Sequence, residues 1–281
     1  MRIVESPKDM RCICEDLRSA GETIGLVPTM GAFHEGHLSL MRAARESCSR
    51  VVVSLFVNPT QFGPGEDLEK YPRTFQQDSA LAEQVGVDFM FAPSDKAMYP
   101  PRYATYVNVE SLTEVLCGAA RPTHFRGVTT IVAKLFNVVR PHKAFFGQKD
   151  AQQTVVIRRM VEDLNMGIEI VELPIVREPD GLAMSSRNQY LTPEERKEAV
   201  VLHKSLEEAR RLIESGERNA DRIVGAVKRI IETASHAEID YIAAVESSTL
   251  ENSNELEGQV LIALAVRIGS ARLIDNIKVK V

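Results

Sequence analysis

Pro28-Thr29-Met30-Gly31-Ala32-Phe33-His34-Glu35-Gly36-His37 joins two segments of different periodicity. Before it, Thr23-Ile24-Gly25-Leu26-Val27 is a short apolar run that reads as a buried strand. After it, Leu38-Ser39-Leu40-Met41-Arg42-Ala43-Ala44-Arg45 reads as a helix. His34 and His37, spaced by a turn-permissive Gly36, therefore stand where a strand ends and a helix begins. In an α/β sheet, ligands bind at such a junction and free backbone N–H groups there meet anions. The expectation is a backbone cradle for nucleotide phosphates, to which two imidazoles add side-chain donors.

The same alternation runs through two thirds of the chain. Strands are predicted at 23–27, 51–57, 87–91, 105–109, 144–147 and 168–173, and helices at 8–20, 37–48, 74–85, 127–139 and 150–164. Near-continuous apolar strands between amphipathic helices imply an α/β fold, a Rossmann-like doubly wound parallel sheet covered on both faces. Pro28–His37, Asn58–Phe62 and Gly147–Asp150 then follow strand ends and become the functional candidates. The pattern changes after about residue 176. Thr192-Pro193-Glu194-Glu195 is a capping box with proline at the first helical position, opening a charged helix to about Gly216. A helix over 220–234 and strand-like runs at 239–245, 259–267 and 272–280 follow. Residues 177–281 are thus expected to form a smaller α+β domain after a first domain of 1–176, with Arg177-Glu178-Pro179-Asp180-Gly181 as the hinge.

Composition narrows the function classes. The 281 residues are 44% hydrophobic and carry a net charge of −5, so no general attraction to nucleic acid or anionic membrane is expected. No apolar stretch approaches the ~20 residues of a membrane span, and Met1-Arg2-Ile3-Val4-Glu5-Ser6 has no signal-peptide core, which predicts a cytoplasmic protein. Cys12, Cys14, Cys48 and Cys117 are too irregularly spaced for a disulfide framework or structural zinc site; Cys48 and Cys117 read as small buried hydrophobes.

Three further segments qualify the histidine pair. A metal site would need a third ligand beside His34 and His37, and no His, Cys or carboxylate pair lies near in sequence. Met184-Ser185-Ser186-Arg187-Asn188 offers two hydroxyls and a guanidinium able to clamp phosphate oxygens. Phe146-Gly147-Gln148-Lys149-Asp150 offers close backbone approach at Gly147, a point charge at Lys149 and a carboxylate for ribose hydroxyls at Asp150, which equally suits a helix N-cap. Asn58-Pro59-Thr60-Gln61-Phe62 places Gln61 after the most apolar strand, and Gln153 lies one helical turn beyond Asp150. Gln61 suits a small substrate with hydroxyl and carboxylate groups, and Gln153 is placed to face the same cleft; taken alone, either glutamine reads as a solvated side chain. A strand-end histidine motif with a late Lys/Ser/Arg-rich loop resembles the signature of the nucleotidyltransferase superfamily.

From end to end the chain resembles the pantothenate synthetase (pantoate–β-alanine ligase) family. The resemblance rests on Pro28–Gly31 with His34–His37, Phe56–Phe62, Tyr71-Pro72-Arg73-Thr74, His124-Phe125-Arg126-Gly127-Val128, Phe146–Gln153 and Leu182–Asn188, in family order and spacing. The family often has Glu where this chain has Gln148, and the last third matches more loosely apart from Ala271–Asn276. The resemblance implies that pantoate attacks the α-phosphorus of ATP to give pantoyl adenylate, which β-alanine then converts to pantothenate and AMP. It further implies that Met30, Gly31, Ala32, Phe33, His34, Glu35, Gly36 and His37 line the ATP site, with His37 as proton donor. Lys149 and the Ser185, Ser186 and Arg187 loop would hold the phosphates, with Mg²⁺ bridging them. Gly147, Gln148 and Asp150 would adjoin the nucleoside, bordered by Val176 and Met184. Gln61 and Gln153 would grip pantoate, Gln61 also adjoining β-alanine, with Asn58 and Tyr71 in the same cleft. A homodimer is implied as well.

Three rivals compete. Another adenylyltransferase of the superfamily would join a phosphate acceptor to a nucleotide, which the two glutamines disfavour. A non-catalytic ATP sensor would not require both histidines, the lysine and the serine–arginine loop together. A tRNA synthetase would need a basic RNA face that this acidic chain lacks.

Overall fold

Six short strands pair in parallel in the computed structural model, which describes residues 1–281. They are β1 (Arg2–Val4), β2 (Ile24–Thr29), β3 (Arg50–Leu55), β4 (Phe89–Phe91), β5 (Lys143–Gly147) and β6 (Glu169–Leu173). Their order is β1-β4-β3-β2-β5-β6, and every ladder is parallel. From β2 the chain proceeds outward through β3 and β4, and from β5 it proceeds the other way to β6. The direction reverses between β2 and β5, which makes the crevice beyond their C-terminal ends the ligand position of such a sheet. That ladder pairs only Gly25 with Lys143 and Leu26 with Ala144, so the two strands separate before they end.

Helices cover both faces. They are α1 (Pro7–Ser19), α2 (Glu35–Ser47), α3 (Phe75–Gln84), the single turns α4 (Asp95–Met98) and α5 (Cys117–Ala120), α6 (His124–Val139) and α7 (Ala151–Asp163). One core joins Ile24, Leu26 and Val52 to Phe125, Val132 and Phe136 of α6. The other joins Val27, Val51 and Val53 to Leu40, Met41 and Ala44 of α2. Alternate residues of the same strands feed opposite cores, as the period of two requires.

Beyond β6, α8 (Pro193–Glu198), α9 (Val201–Glu214) and α10 (Ala220–Ile231) precede an antiparallel sheet of β7 (Ala237–Glu246), β8 (Gln259–Ile268) and β9 (Ala271–Lys280). Leu202, Leu206, Ile223 and Val227 pack on Ile262, Leu264 and Val266 in a separate apolar core. The Thr192 capping box forms, but the expected long helix is interrupted at Ala199–Val200.

Two expectations are corrected, and one strand falls outside them. Residues 105–109 form no strand: the Val107 N–H donates to Thr130 Oγ1 at 3.0 Å and its carbonyl accepts from Thr129 Oγ1 at 2.7 Å, so α6 side chains replace a ladder. Val51–Val57 ends as a strand at Leu55. The edge strand β1 is too short to show a period in sequence, and its pairing with β4 alone defines it.

Gly127 in α6 marks the tightest approach to the site. A Cβ there would lie 2.4 Å from Thr60 O and 2.6 Å from the Gln61 Cα, contacts that backbone cannot yield cheaply. Gly127→Ala is expected to destabilise the fold by about 1–3 kcal/mol, the scale of an overpacked core. An unchanged thermal midpoint would show that α6 can back away from the Asn58–Gln61 turn.

Candidate active site

The bend between β2 and α2 is built around a buried carboxylate. Gly31 and Ala32 have φ of 94° and 53°, which turns the next amides inward. Asp78 Oδ2 accepts from the Ala32 N–H at 2.9 Å and Asp78 Oδ1 from the Phe33 N–H at 2.7 Å, while Thr74 Oγ1 donates to Oδ2 at 3.1 Å. The protein's own anion therefore occupies these two donors, and the expected cradle of free backbone N–H groups is not what faces the cleft.

The first turn of α2 also satisfies itself. Gly36 N–H donates to His34 Nδ1 at 3.1 Å, and His34 N–H donates to His37 Nδ1 at 3.3 Å. An Nδ1 that accepts leaves the proton on Nε2 of a neutral ring, so both imidazoles expose an Nε2–H donor. Their centroids are 4.2 Å apart. Burial, reinforced by the Lys149 charge, lowers the His34 pKa to about 4. Burial, His34 and Lys149 together hold His37 well below the ordinary imidazole range. Both rings are thus neutral donors at pH 7. Gly36 is not the expected turn residue: it lies inside α2, where a Cβ would meet the His34 ring at 2.9 Å.

Gln61 ends the turn after β3. Asn58, 1% exposed, donates from Nδ2 to Gln61 Oε1 at 3.0 Å and to Gly127 O at 3.1 Å, and its Oδ1 accepts from Tyr99 OH at 2.8 Å. Asn58 is thereby consumed in orienting Gln61. Gln61 Nε2 donates to Met30 Sδ at 3.1 Å, a weak acceptor.

The turn after β5 carries Lys149, which forms no ion pair, and the exposed Asp150. Burial lowers the Lys149 pKa, an effect that Asp150 opposes. In α7, Gln152 is structural: it accepts from Cys117 N–H and donates to Leu112 O and Val115 O. Gln153, its neighbour, lines the cleft.

The serine–arginine turn closes the far side. Arg187 forms a bidentate pair with Asp67, at 2.8 and 2.9 Å, and its guanidinium lies 5.8 Å from the Tyr71 ring centroid. Ser186 Oγ donates to Tyr71 OH at 3.3 Å. The proposed hinge is pinned, because Arg177 bonds to Gly181 O at 3.0 Å and to both Asp275 oxygens, while Met184 N–H donates to Val176 O.

One cleft of about 1130 Å³ brings together Met30, His34, His37, Asn58, Gln61, Tyr71, Lys149, Asp150, Gln153, Ser185, Ser186 and Arg187. Gly31, Ala32, Phe33, Gly36, Gly147, Gln148, Val176 and Met184 lie in the adjoining backbone and not on its wall. Glu35 is exposed and paired with Arg42, outside the cleft. Sequence reasoning missed Asp67, Asp78 and Asn276. Each acts through tertiary hydrogen bonds to distant residues, and only the Ala271–Asn276 similarity marked any of them.

A family model described as pantoate-beta-alanine ligase matches residues 2–278. The pantothenate synthetase of Acetivibrio thermocellus is 59% identical over 100% of both chains, and that of Thermotoga neapolitana is 55% identical over 98% of this chain and 99% of its own. A crystal structure of the Thermus thermophilus pantothenate synthetase superposes with a TM-score of 0.95 at 44% identity, over 100% of both chains. The Francisella tularensis pantoate-beta-alanine ligase, complexed with beta-gamma ATP and beta-alanine, gives a TM-score of 0.80 at 32% identity, over 99% of this chain and 97% of that one. With its fold and its sequence matched over nearly their whole length, this chain belongs to the pantoate–beta-alanine ligase family.

Proposed function

We propose that the cleft between β2 and β5 condenses (R)-pantoate with β-alanine at the expense of ATP, through pantoyl adenylate. The carrying observation is two neutral imidazole donors and an unpaired lysine at the point where the sheet reverses direction. A pantoate carboxylate oxygen attacks the α-phosphorus, the bond to the β-phosphate oxygen breaks, and pyrophosphate leaves. The β-alanine nitrogen then attacks the acyl carbon, the acyl–oxygen bond breaks, AMP leaves, and the amine proton passes to solvent. Full-length relatives bear this name, which favours the reading over a phosphate-accepting adenylyltransferase or an ATP sensor.

Roles follow from donor inventory. His34 and His37 give Nε2–H hydrogen bonds to phosphate oxygens as charge develops there, acting as donors without being cations. Lys149 supplies the point charge, and Ser185 and Ser186 supply hydroxyls. Arg187 joins them by exchanging Asp67 for phosphate. Gln61 and Gln153 orient pantoate, and Gln61 adjoins β-alanine. Gly147, Asp150, Val176 and Met184 border the nucleoside through backbone and carboxylate contacts. No group of three His, Cys, Asp or Glu side chains is placed to hold a metal ion. Asp150, next to Lys149 on the cleft wall, would help hold a Mg²⁺ arriving with the triphosphate, and the ion would offset phosphate charge.

We also read the protein as a cytoplasmic homodimer of chains divided near residue 176, a boundary supported by the separate core that begins at Leu182. No helix is long and apolar enough to cross a membrane. Light scattering on the purified protein should give twice the chain mass; a single chain mass would remove the dimer.

The reading is tested by ATP–pyrophosphate exchange that requires pantoate, followed by amide formation on adding β-alanine. Exchange without pantoate would overturn it. His37→Ala should retain the fold and lose about 10²–10³ in turnover, the scale for one transition-state donor. Near-normal turnover would remove His37 from that role.

The buried histidines also give stability a pH dependence. A folded-state pKa below the unfolded one means that the unfolded chain binds more protons, so stability rises with pH. His34, and His124 with its pKa of about 4 from burial and Arg121, are neutral in the fold. Their contribution is complete above the ordinary imidazole pKa and is lost progressively as pH falls toward about 4. The thermal midpoint of the free protein should therefore drop from pH 7 to pH 5, and His34→Gln should flatten part of the drop. An identical slope in that variant would assign the effect to other groups.

A further inference from the structure

Asn276 of β9 reaches out of the C-terminal sheet into the turn that carries Lys149. It is 2% exposed. Its Nδ2 donates to Gln148 O at 2.9 Å and to Lys149 O at 3.1 Å, and its Oδ1 accepts from Gln148 Nε2 at 3.1 Å. Two donors and one acceptor on a planar fork thus meet two consecutive carbonyls and one amide. Aspartate lacks the donors, arginine lacks the acceptor, and alanine lacks both.

The neighbouring residue holds the opposite side of the site. Asp275, also 2% exposed, accepts from Asn276 N–H at 2.8 Å and binds Arg177 at 2.7 and 3.0 Å. Arg177 closes the hairpin that leads into Met184–Arg187 through Gly181 O and the Val176–Met184 bond. Two adjacent residues of one strand therefore register the lysine turn against the serine–arginine turn. Lys149 makes no ion pair of its own, so its place depends on the backbone that Asn276 holds.

We propose that Asn276 is a positioning residue for adenylation, which acts by fixing the Gln148–Lys149 backbone and so placing the lysine on the triphosphate. This rests on the reading of Lys149 as a phosphate ligand. Misplacing a reacting group by about 1 Å costs up to about 10²-fold in rate. The test is a double-mutant cycle on pantoate-dependent ATP–pyrophosphate exchange, using Asn276→Ala, Lys149→Ala and the double variant. Asn276→Ala should lower the exchange kcat by about 10–100-fold with the pantoate KM unchanged. In the Lys149→Ala background the same change should cost less than about twofold, because positioning a missing side chain has no effect. A full, additive loss in that background, or no loss in the single variant, would overturn the proposal. Should Asn276→Ala fail to fold, Asn276→Leu replaces it in the cycle, since it nearly keeps the volume and removes the donors and the acceptor without adding a charge. If Lys149→Ala alone leaves exchange intact, the underlying role of Lys149 fails, and that outcome is distinct from additivity.

Discussion

A chain that turns from a strand into a helix must satisfy the amides it bares, and here the protein supplies the acceptors itself. Asp78 takes the Ala32 and Phe33 N–H groups, and the two imidazoles take those of Gly36 and His34. Buried amides left without partners would each be costly, so the bend, the buried carboxylate and the ring positions are one arrangement. Its chemical consequence is the tautomer. With each Nδ1 engaged, the protons lie on Nε2, and the helix presents side-chain donors where a bare helix N-terminus would present amides.

The cations of the cleft are handled in two ways. Arg187 is held by Asp67 and Arg121 by Glu66, both from the segment between Gln61 and Tyr71. Lys149 has no such partner and is held through its backbone by Asn276. One lysine backbone is therefore fixed in place, while the neighbouring guanidinium is engaged by a carboxylate. Under the proposed function the two arrangements serve different needs, since fixed donors limit reorganisation and a paired guanidinium can exchange its carboxylate for phosphate.

The residues to which the proposed chemistry is assigned were legible in local sequence. His34, His37, Gln61, Lys149 and the Ser185–Arg187 turn each follow a strand end or a turn motif, and the fold brings them into one cleft. Less legible were residues whose role is to orient others. Nothing in the Asn58 segment shows that its amide serves Gln61, and nothing separates Gln152, which fastens residues 112–117, from Gln153 in the cleft. The 105–109 run had a strand's composition but no strand beside it, and α6 hydroxyls took its backbone instead.

By itself the sequence determined the parallel α/β sheet, the helical and antiparallel C-terminal region and the identity of the groups able to carry the chemistry. Periodicity, capping residues and side-chain type are local properties. The tertiary structure alone decided the reversal of strand order between β2 and β5, the neutral tautomers of the histidines and the partners of Asp67, Asp78 and Asn276. Each of these depends on which distant segments meet, and such meetings arise from burial and hydrogen-bond satisfaction across the whole fold.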